Sequence, residues 1–280
     1  MKLAVVGHVE WVEFALVDHA PEPGEIVHAL ETWEEPAGGG AVAAVQLANL
    51  NGSCLLFTAL ADDELGRRSR EELEARGVTV HAGQVPGTQR RALTHVDEAG
   101  ERTITVLGEK LLPSGEDGSL PWEELRRCDA VYFVSGDMAA LRSARHCPTL
   151  VATARELVTL RRAELQVDVL VGSGEDAAER FESGELEPEP RIVVTTAGQL
   201  GGWIRPGGPF RAAPLPGAVS DAYGCGDCFA AGLTYGLALG GAVDEAVALG
   251  AQCGAAVLTG RGAYGHQLTA ADLPEDLHTS

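Results

Sequence analysis

The chain has 280 residues, 45% of them hydrophobic, with 41 acidic against 21 basic side chains and a formal net charge of −20. That size suits one large core with an appended lid, and the acidity argues against nucleic-acid and anionic-membrane partners, which need clustered cations. Lysine occurs only at Lys2 and Lys110, and neither follows a glycine, which excludes a P-loop.

The longest apolar runs, such as residues 253–258, fall far short of a membrane span. The opening MKLAVVGHVEW lacks the h-region and cleavage site of a signal peptide, so a cytoplasmic protein is expected. Six cysteines are scattered in mostly apolar settings and read as small buried hydrophobes rather than a disulfide framework.

In chain order, compact Val/Leu/Ile-rich runs at 2–7, 54–60, 130–136, 149–153, 167–172 and 191–196 are apolar throughout, as parallel strands covered on both faces must be. Helical patterns fall between them at 41–51, 63–76, 138–146, 155–164 and 174–183. The alternation predicts a doubly wound α/β core, mostly parallel and flanked by helices. Two segments, 24–35 and 89–108, alternate apolar with polar residues, and the second turns at DEAG. They predict half-exposed strands forming a small sheet beside the core. Residues 182–191 read as a solvated acidic loop. Residues 227–239 and 244–259 read as two closely packed, small-residue helices, with Asp244 capping the second.

Several places carry chemistry. In DAYGCGDCFAAG (221–232), Gly224 and Gly226 precede a helix whose first N–H groups have no intrahelical partner. Backbone of that kind cradles an anion, and Asp227 beside it can take a proton from an attacking hydroxyl. The same stretch holds Cys225-x-x-Cys228, but Asp227 between the thiols opposes a low-pKa redox pair, and no second ligand pair completes a zinc site. GSGEDA (172–177) has dinucleotide-fingerprint spacing, yet Glu175 and Asp176 would repel a pyrophosphate. Those carboxylates suit hydrated Mg²⁺ instead. TTAGQLGG (195–202) and AGGGAVAAVQLANLNG (37–52) are glycine turns that could approach a ligand closely, and a plain turn satisfies each equally.

Together these segments resemble the ribokinase-like (PfkB) family of carbohydrate and nucleoside kinases, over essentially the whole chain. Asp221-Ala-Tyr-Gly224-Cys225-Gly226-Asp227-Cys-Phe-Ala-Ala-Gly232 is similar to the family signature D-[TS]-x-G-A-G-D-x-F-x-x-G. The resemblance implies one ribokinase-like domain over 1–280, with a lid from about 10–36 and 88–108. It makes Asp227 the catalytic base and the amides of Gly224, Cys225 and Gly226 an anion hole. Residues 61–78 resemble the family's acidic-glycine segment and the helix after it. Thr195, Gly198 and Gly201 resemble the element beside the ATP phosphates and ribose, and 250–263, with Gly254 and Val257, the helix and loop beside adenine.

The substrate end departs from the pattern. The glycine pair of G-G-x-x-x-N falls on Ala37 and Gly38, with Gly39 next, and its Asn slot falls on Val42. The early sugar-binding Asp falls on Val12, leaving Glu10 and Glu13 as neighbouring candidates. The N-x-x-E metal motif reads Ser173-Gly-Glu175-Asp176. The expectation is therefore an ATP- and Mg²⁺-dependent kinase acting on a hydroxyl of a small sugar, sugar acid or nucleoside. Asp221 would shape the loop or hold a monovalent cation such as K⁺, and Arg102 would be the side-chain cation. The lid could pair two subunits. A relative that binds nucleotide or sugar without catalysis is the second reading, and a thiol protein using Cys225 and Cys228 the third.

Overall fold

The protein is described by a computed structural model covering residues 1–274. Its elements are β1 (Leu3–Val6), β2 (Glu10–Leu16), β3 (Glu31–Ala37), α1 (Gly39–Asn51), β4 (Cys54–Ala61), α2 (Glu64–Glu74) and β5 (Val78–Val85). There follow β6 (Arg91–Val96), β7 (Arg102–Leu107), β8 (Ala130–Phe133), α3 (Met138–Ala144), β9 (Thr149–Thr153), α4 (Leu157–Ala163), β10 (Val169–Ser173) and β11 (Ile192–Thr196). β12 (Gly202–Arg205), β13 (Pro209–Phe210), α5 (Cys225–Ala238) and α6 (Val243–Val257) complete the described chain.

A nine-stranded sheet runs β13-β12-β11-β10-β9-β8-β1-β4-β5, parallel from β11 to β5, with β12 and β13 added antiparallel at one edge. The all-apolar strands follow from burial on both sides. In β1, Leu3 and Val5 join the core under α1, α5 and α6, whereas Ala4 and Val6 join the core under α3 and α4. The chain leaves β1 toward β4 on one side and returns to β8 on the other. Strand order therefore reverses at β1 and β8, and the crevice beyond their C-terminal ends is where open α/β sheets bind ligands.

A second, four-stranded sheet runs β3-β2-β6-β7. Its alternating residues sort by face. Val12 and Phe14 are buried toward the main body, while Glu13 turns to the opposite face and pairs with Arg91 at 3.3 Å. Trp11, on that same outer face, lies under the Arg68 guanidinium and donates to Glu34.

Local expectations are corrected in four places. The strand expected over 24–35 begins only at Glu31. The helix expected at 174–183 is a single 3-10 turn over Ala177–Glu179, because Asp176 spends its carboxylate on the Ala178 N–H (2.9 Å) and the chain then turns at Gly184. Helix α4 is short, with a separate 3-10 turn before it at Ala154–Glu156. The cap of α6 is Ala242, whose N–H donates to Glu245, and Asp244 sits inside the first turn.

Helices α5 and α6 meet backbone to backbone. A Cβ on Gly236 would lie 2.7 Å from Ala246 Cα, and one on Gly232 would lie 3.0 Å from Gly250 Cα. Gly236→Ala is predicted to lower stability, because overpacking costs about 1–3 kcal/mol and outweighs the roughly 0.8–1 kcal/mol gain in helix propensity. A lower urea midpoint at unchanged slope is the expected result; an unchanged or higher midpoint would mean the two helices are not in obligatory contact.

Candidate active site

Two glycine-rich helix starts face each other at the C-terminal ends of β1 and β8. Helix α1 opens at Gly38-Gly39-Gly40, and α5 opens at Gly224, which adopts a left-handed φ of 79°. Asp227 bridges them. A Cβ on Gly39 would sit 2.8 Å from Asp227 Oδ1 and 2.8 Å from Val134 Cγ1, so only glycine there leaves the carboxylate its place. The Tyr223 hydroxyl accepts the Gly38 N–H at 3.2 Å, tying the two openings together.

In the first turn of α5 the Cys228 N–H donates to Gly224 O at 2.9 Å. The amides of Cys225 and Gly226 lie before it, at the positive end of the helix. Gly226 is exposed, with open space where a Cβ would stand. The opening leaves amide donors at the positive end of α5, with a carboxylate inside its first turn. Asp227 is half-buried, and its pKa is raised to about 6, chiefly by burial and next by the charge of Glu179. Arg102 and Arg155 pull it down, and Glu10 pushes it up.

The sequence candidates divide by position. Arg102 opens β7 with an exposed side chain, within electrostatic reach of Asp227, Asp221 and Cys225. Glu10 is buried and converges on the site, 2.9 Å from Arg90 and 3.3 Å from His8. Glu13 points away. Val42, like Val12, is fully buried; its Cγ1 packs beneath Gly224, where a Cβ would be 2.9 Å from it. Val42 thus supports the α5 opening with its side chain wholly buried.

Asp221 is buried and accepts from the amides of Tyr223 (2.8 Å) and Gly262 (3.0 Å); burial nonetheless raises its pKa. Thr195 is the penultimate residue of β11, and Gly198 and Gly201 shape the turn into β12, closed by Ala197 N–H to Gly201 O at 2.8 Å. Glu175 lies against Gly198. On α6, Gly254 faces Cys225 O across the helix pair, and Val257 is wholly in the core.

Five further side chains converge that sequence reasoning did not single out. Arg155, just past the end of β9, binds both Asp176 and Glu179, the latter at 2.6 Å. Glu179 stands at the end of Asp176-Ala-Ala-Glu179, which has the spacing of the metal motif three residues on from the register read above. His8 contacts Ser135 Oγ at 3.0 Å and Glu10, and burial lowers its pKa although the Glu10 bond opposes this. Burial alone would raise Glu10, but the His8 bond and the charges of Arg90 and Lys110 outweigh it and hold Glu10 low. Lys110 lies 3.8 Å from Glu156. One signal for Lys110 was visible: it is one of two lysines in the chain.

Burial works against a reactive thiolate in the Cys225–Cys228 stretch. Cys228 is fully buried, and burial pushes both Cys225 and Cys228 upward, away from a reactive thiolate. Among the described residues no group of three or more His, Cys, Asp or Glu is arranged to hold a metal by itself, and no helix is long and apolar enough to cross a membrane.

Comparison with known proteins gives the same picture. An ATP-dependent ribose-1-phosphate kinase from Halopiger xanaduensis is 26% identical over 275 residues, covering 91% of each chain. Among solved structures, ribokinase from Thermotoga maritima superposes with a TM-score of 0.78 at 20% identity over 100% of both chains. Adenosine kinase from Sinorhizobium meliloti gives 0.76 at 20% identity, over 94% of this chain and 95% of that one. The pfkB family carbohydrate kinase profile matches residues 1–139 and 131–270. With both glycine-rich helix starts in place around Asp227, the chain belongs to the pfkB family of carbohydrate kinases, and its activity is that of a kinase.

Proposed function

We propose that the protein transfers the γ-phosphoryl group of ATP to a hydroxyl of a small sugar, sugar acid or nucleoside, with Asp227 as the base. The observation that carries this reading is the half-buried Asp227 carboxylate, pKa about 6, resting on Gly39 at the mouth of α5. An acceptor hydroxyl above the Gly38–Gly40 floor gives its proton to Asp227 as its oxygen attacks the γ-phosphorus, and the bond from that phosphorus to the departing ADP oxygen breaks. The amides of Gly224, Cys225 and Gly226 take the charge that spreads over the phosphoryl oxygens, with Arg102 as a second positive group. Phosphoryl transfer asks for this positioning and charge stabilisation more than for covalent help. The nucleotide would lie between the 195–202 turn and the paired helices α5 and α6.

A family of this chemistry implies Mg²⁺, and the residues fit a hydrated ion held through one or two carboxylates plus phosphate oxygens. Asp176 and Glu175 remain candidates. Glu179 joins them, because it is the acid that most raises Asp227. When bound, the ion would neutralise phosphate charge. Asp221, buried between two amide donors, is the candidate for a monovalent cation. Glu10, His8, Arg90 and Lys110 would read the acceptor in place of the Asn and Asp that Val42 and Val12 replace.

The acceptor class extends what the relatives' names describe, a ribose-1-phosphate kinase and an adenosine kinase. A binding protein without catalysis is the weaker reading, because the cradle and its carboxylate are both present.

Asp227→Asn should lower kcat by about 10²–10⁴-fold with ATP affinity unchanged. ADP release across a pooled sugar and nucleoside panel, with calorimetric ATP binding, checks it; near-normal turnover would remove Asp227 as the base. In the wild type, kcat/KM should fall as pH drops through about 6, where Asp227 takes up its proton. Glu179→Gln should move that midpoint lower, because the charge that raises Asp227 is gone.

The same shift has a consequence for stability. The folded chain holds the Asp227 proton more tightly than the unfolded chain, so Asp227 stabilises the fold below the ordinary carboxylate range and that contribution is lost as pH rises through about 6. A displacement of this size corresponds to about 3 kcal/mol at most. Asp227→Asn should therefore raise the thermal midpoint at pH 8 and bring no gain at pH 3.5. Equal midpoints at pH 8 would contradict the raised pKa.

A further inference from the structure

We propose that the β6–β7 turn is a positioning element for the anion-hole loop, acting through the Gly100 carbonyl; this rests on the reading of residues 224–226 as that hole. The turn is built before it meets anything else. Asp97 Oδ1 accepts from Ala99 N–H (2.9 Å) and Glu101 N–H (3.0 Å), and Gly100 N–H returns to Asp97 O at 2.9 Å. Gly100 has a left-handed φ of 78°, which turns its carbonyl outward from the hairpin. That carbonyl accepts the N–H of Ala222 at 3.0 Å. Ala222 lies two residues before Gly224, the cap of α5.

The contact is close as well as bonded. A Cβ on Gly100 would stand 2.8 Å from Val219 Cγ1 and 3.2 Å from the carbonyl carbon and oxygen of Ser220. Residues 211–220 are exposed almost throughout, so the approach to α5 has little packing of its own. Its backbone is fixed from two sides. From the α6 side, Leu258 O accepts from Ser220 N–H (2.8 Å) and Asp221 N–H (3.3 Å), and the Asp221 carboxylate holds the amides of Tyr223 and Gly262. From the small sheet, Gly100 holds Ala222. Two residues beyond Gly100, Arg102 reaches the same loop electrostatically.

The small sheet thus touches the catalytic loop through main chain, independently of any bound substrate. With the turn docked, the Tyr223–Gly226 backbone is held from both sides. With it undocked, Ala222 loses its partner and the cradle loses one of its anchors. Misplacement of about 1 Å in such a site can cost about 10²-fold in rate. Most of the nucleotide would lie between the 195–202 turn and the α5–α6 face, away from this contact, so the contact bears on where the terminal phosphate sits more than on ATP affinity.

The test uses the full chain with Gly100→Ala and Gly100→Val, read by two measurements. Hydrogen exchange at the Ala222 amide, without ligand, should speed up at least tenfold in Gly100→Val while core amides in β1 and β8 stay protected. Steady-state ADP release with an accepted hydroxyl compound should show kcat down about 10–100-fold with KM for ATP within twofold. Val219→Ala added to Gly100→Ala should recover part of kcat, because it removes the atom nearest the new Cβ. Unchanged Ala222 exchange in Gly100→Val, or wild-type kcat despite fast exchange, overturns the proposal. Failure of the wild type to release ADP with any acceptor would count against the kinase function, whereas the exchange result decides the docking contact regardless.

Discussion

The structure depends on one close approach: the Asp227 carboxylate lying against the Cα of Gly39. Two helices from opposite ends of the chain must both begin at the same point for this to occur. Each needs glycine there, because a side chain on Gly39 would occupy the carboxylate's position and one on Gly224 would strike Val42. The main sheet supplies the place. At β1 and β8 the strand order reverses, and the loops beyond both strands diverge to leave a crevice. Gly7 and Val134, just past those strands, form its floor with Gly40 and Gly39.

The charges around that point explain why so acidic a protein can manage anionic ligands. The excess of 41 acidic over 21 basic side chains does not extend evenly into the crevice. Arg90, Arg102, Lys110 and Arg155 all converge there, each opposite a carboxylate. Asp227 feels both signs, and burial decides the direction of its shift. A base whose pKa lies near 6 is mostly ionised at neutral pH and still able to hold a proton, a balance that general-base catalysis favours.

Much of this was legible in the sequence, and the parts that were not share a cause. The parallel strands were visible because strands buried on both faces carry no polar residues. The α5 opening was visible because its glycines and aspartate are contiguous. Glu10, Arg90 and Lys110 are separated by up to a hundred residues, and only the parallel register of β2 on β6, Trp11 opposite Arg91, brings the first two together. Glu13 looked equivalent to Glu10, yet odd strand spacing does not decide which residue meets the cavity until the pairing is known. Glu179 was not distinguished because the stretch 173–179 offers the metal-motif spacing in two registers, and only the fold brings Glu179 to Arg155 and Asp227. The 174–183 helix failed for a local reason, side-chain capping by Asp176 in competition with helical bonds.

Phosphoryl transfer by this route depends on where an acceptor oxygen sits relative to Asp227. A crystal structure of the protein with a non-hydrolysable ATP analogue and an accepted hydroxyl compound measures this directly. The predicted result is a hydroxyl oxygen about 2.6–3.2 Å from an Asp227 carboxylate oxygen, with the terminal phosphate on the amides of residues 224–226. A terminal phosphate bound elsewhere, or an acceptor whose hydroxyls all lie beyond reach of Asp227, would contradict it.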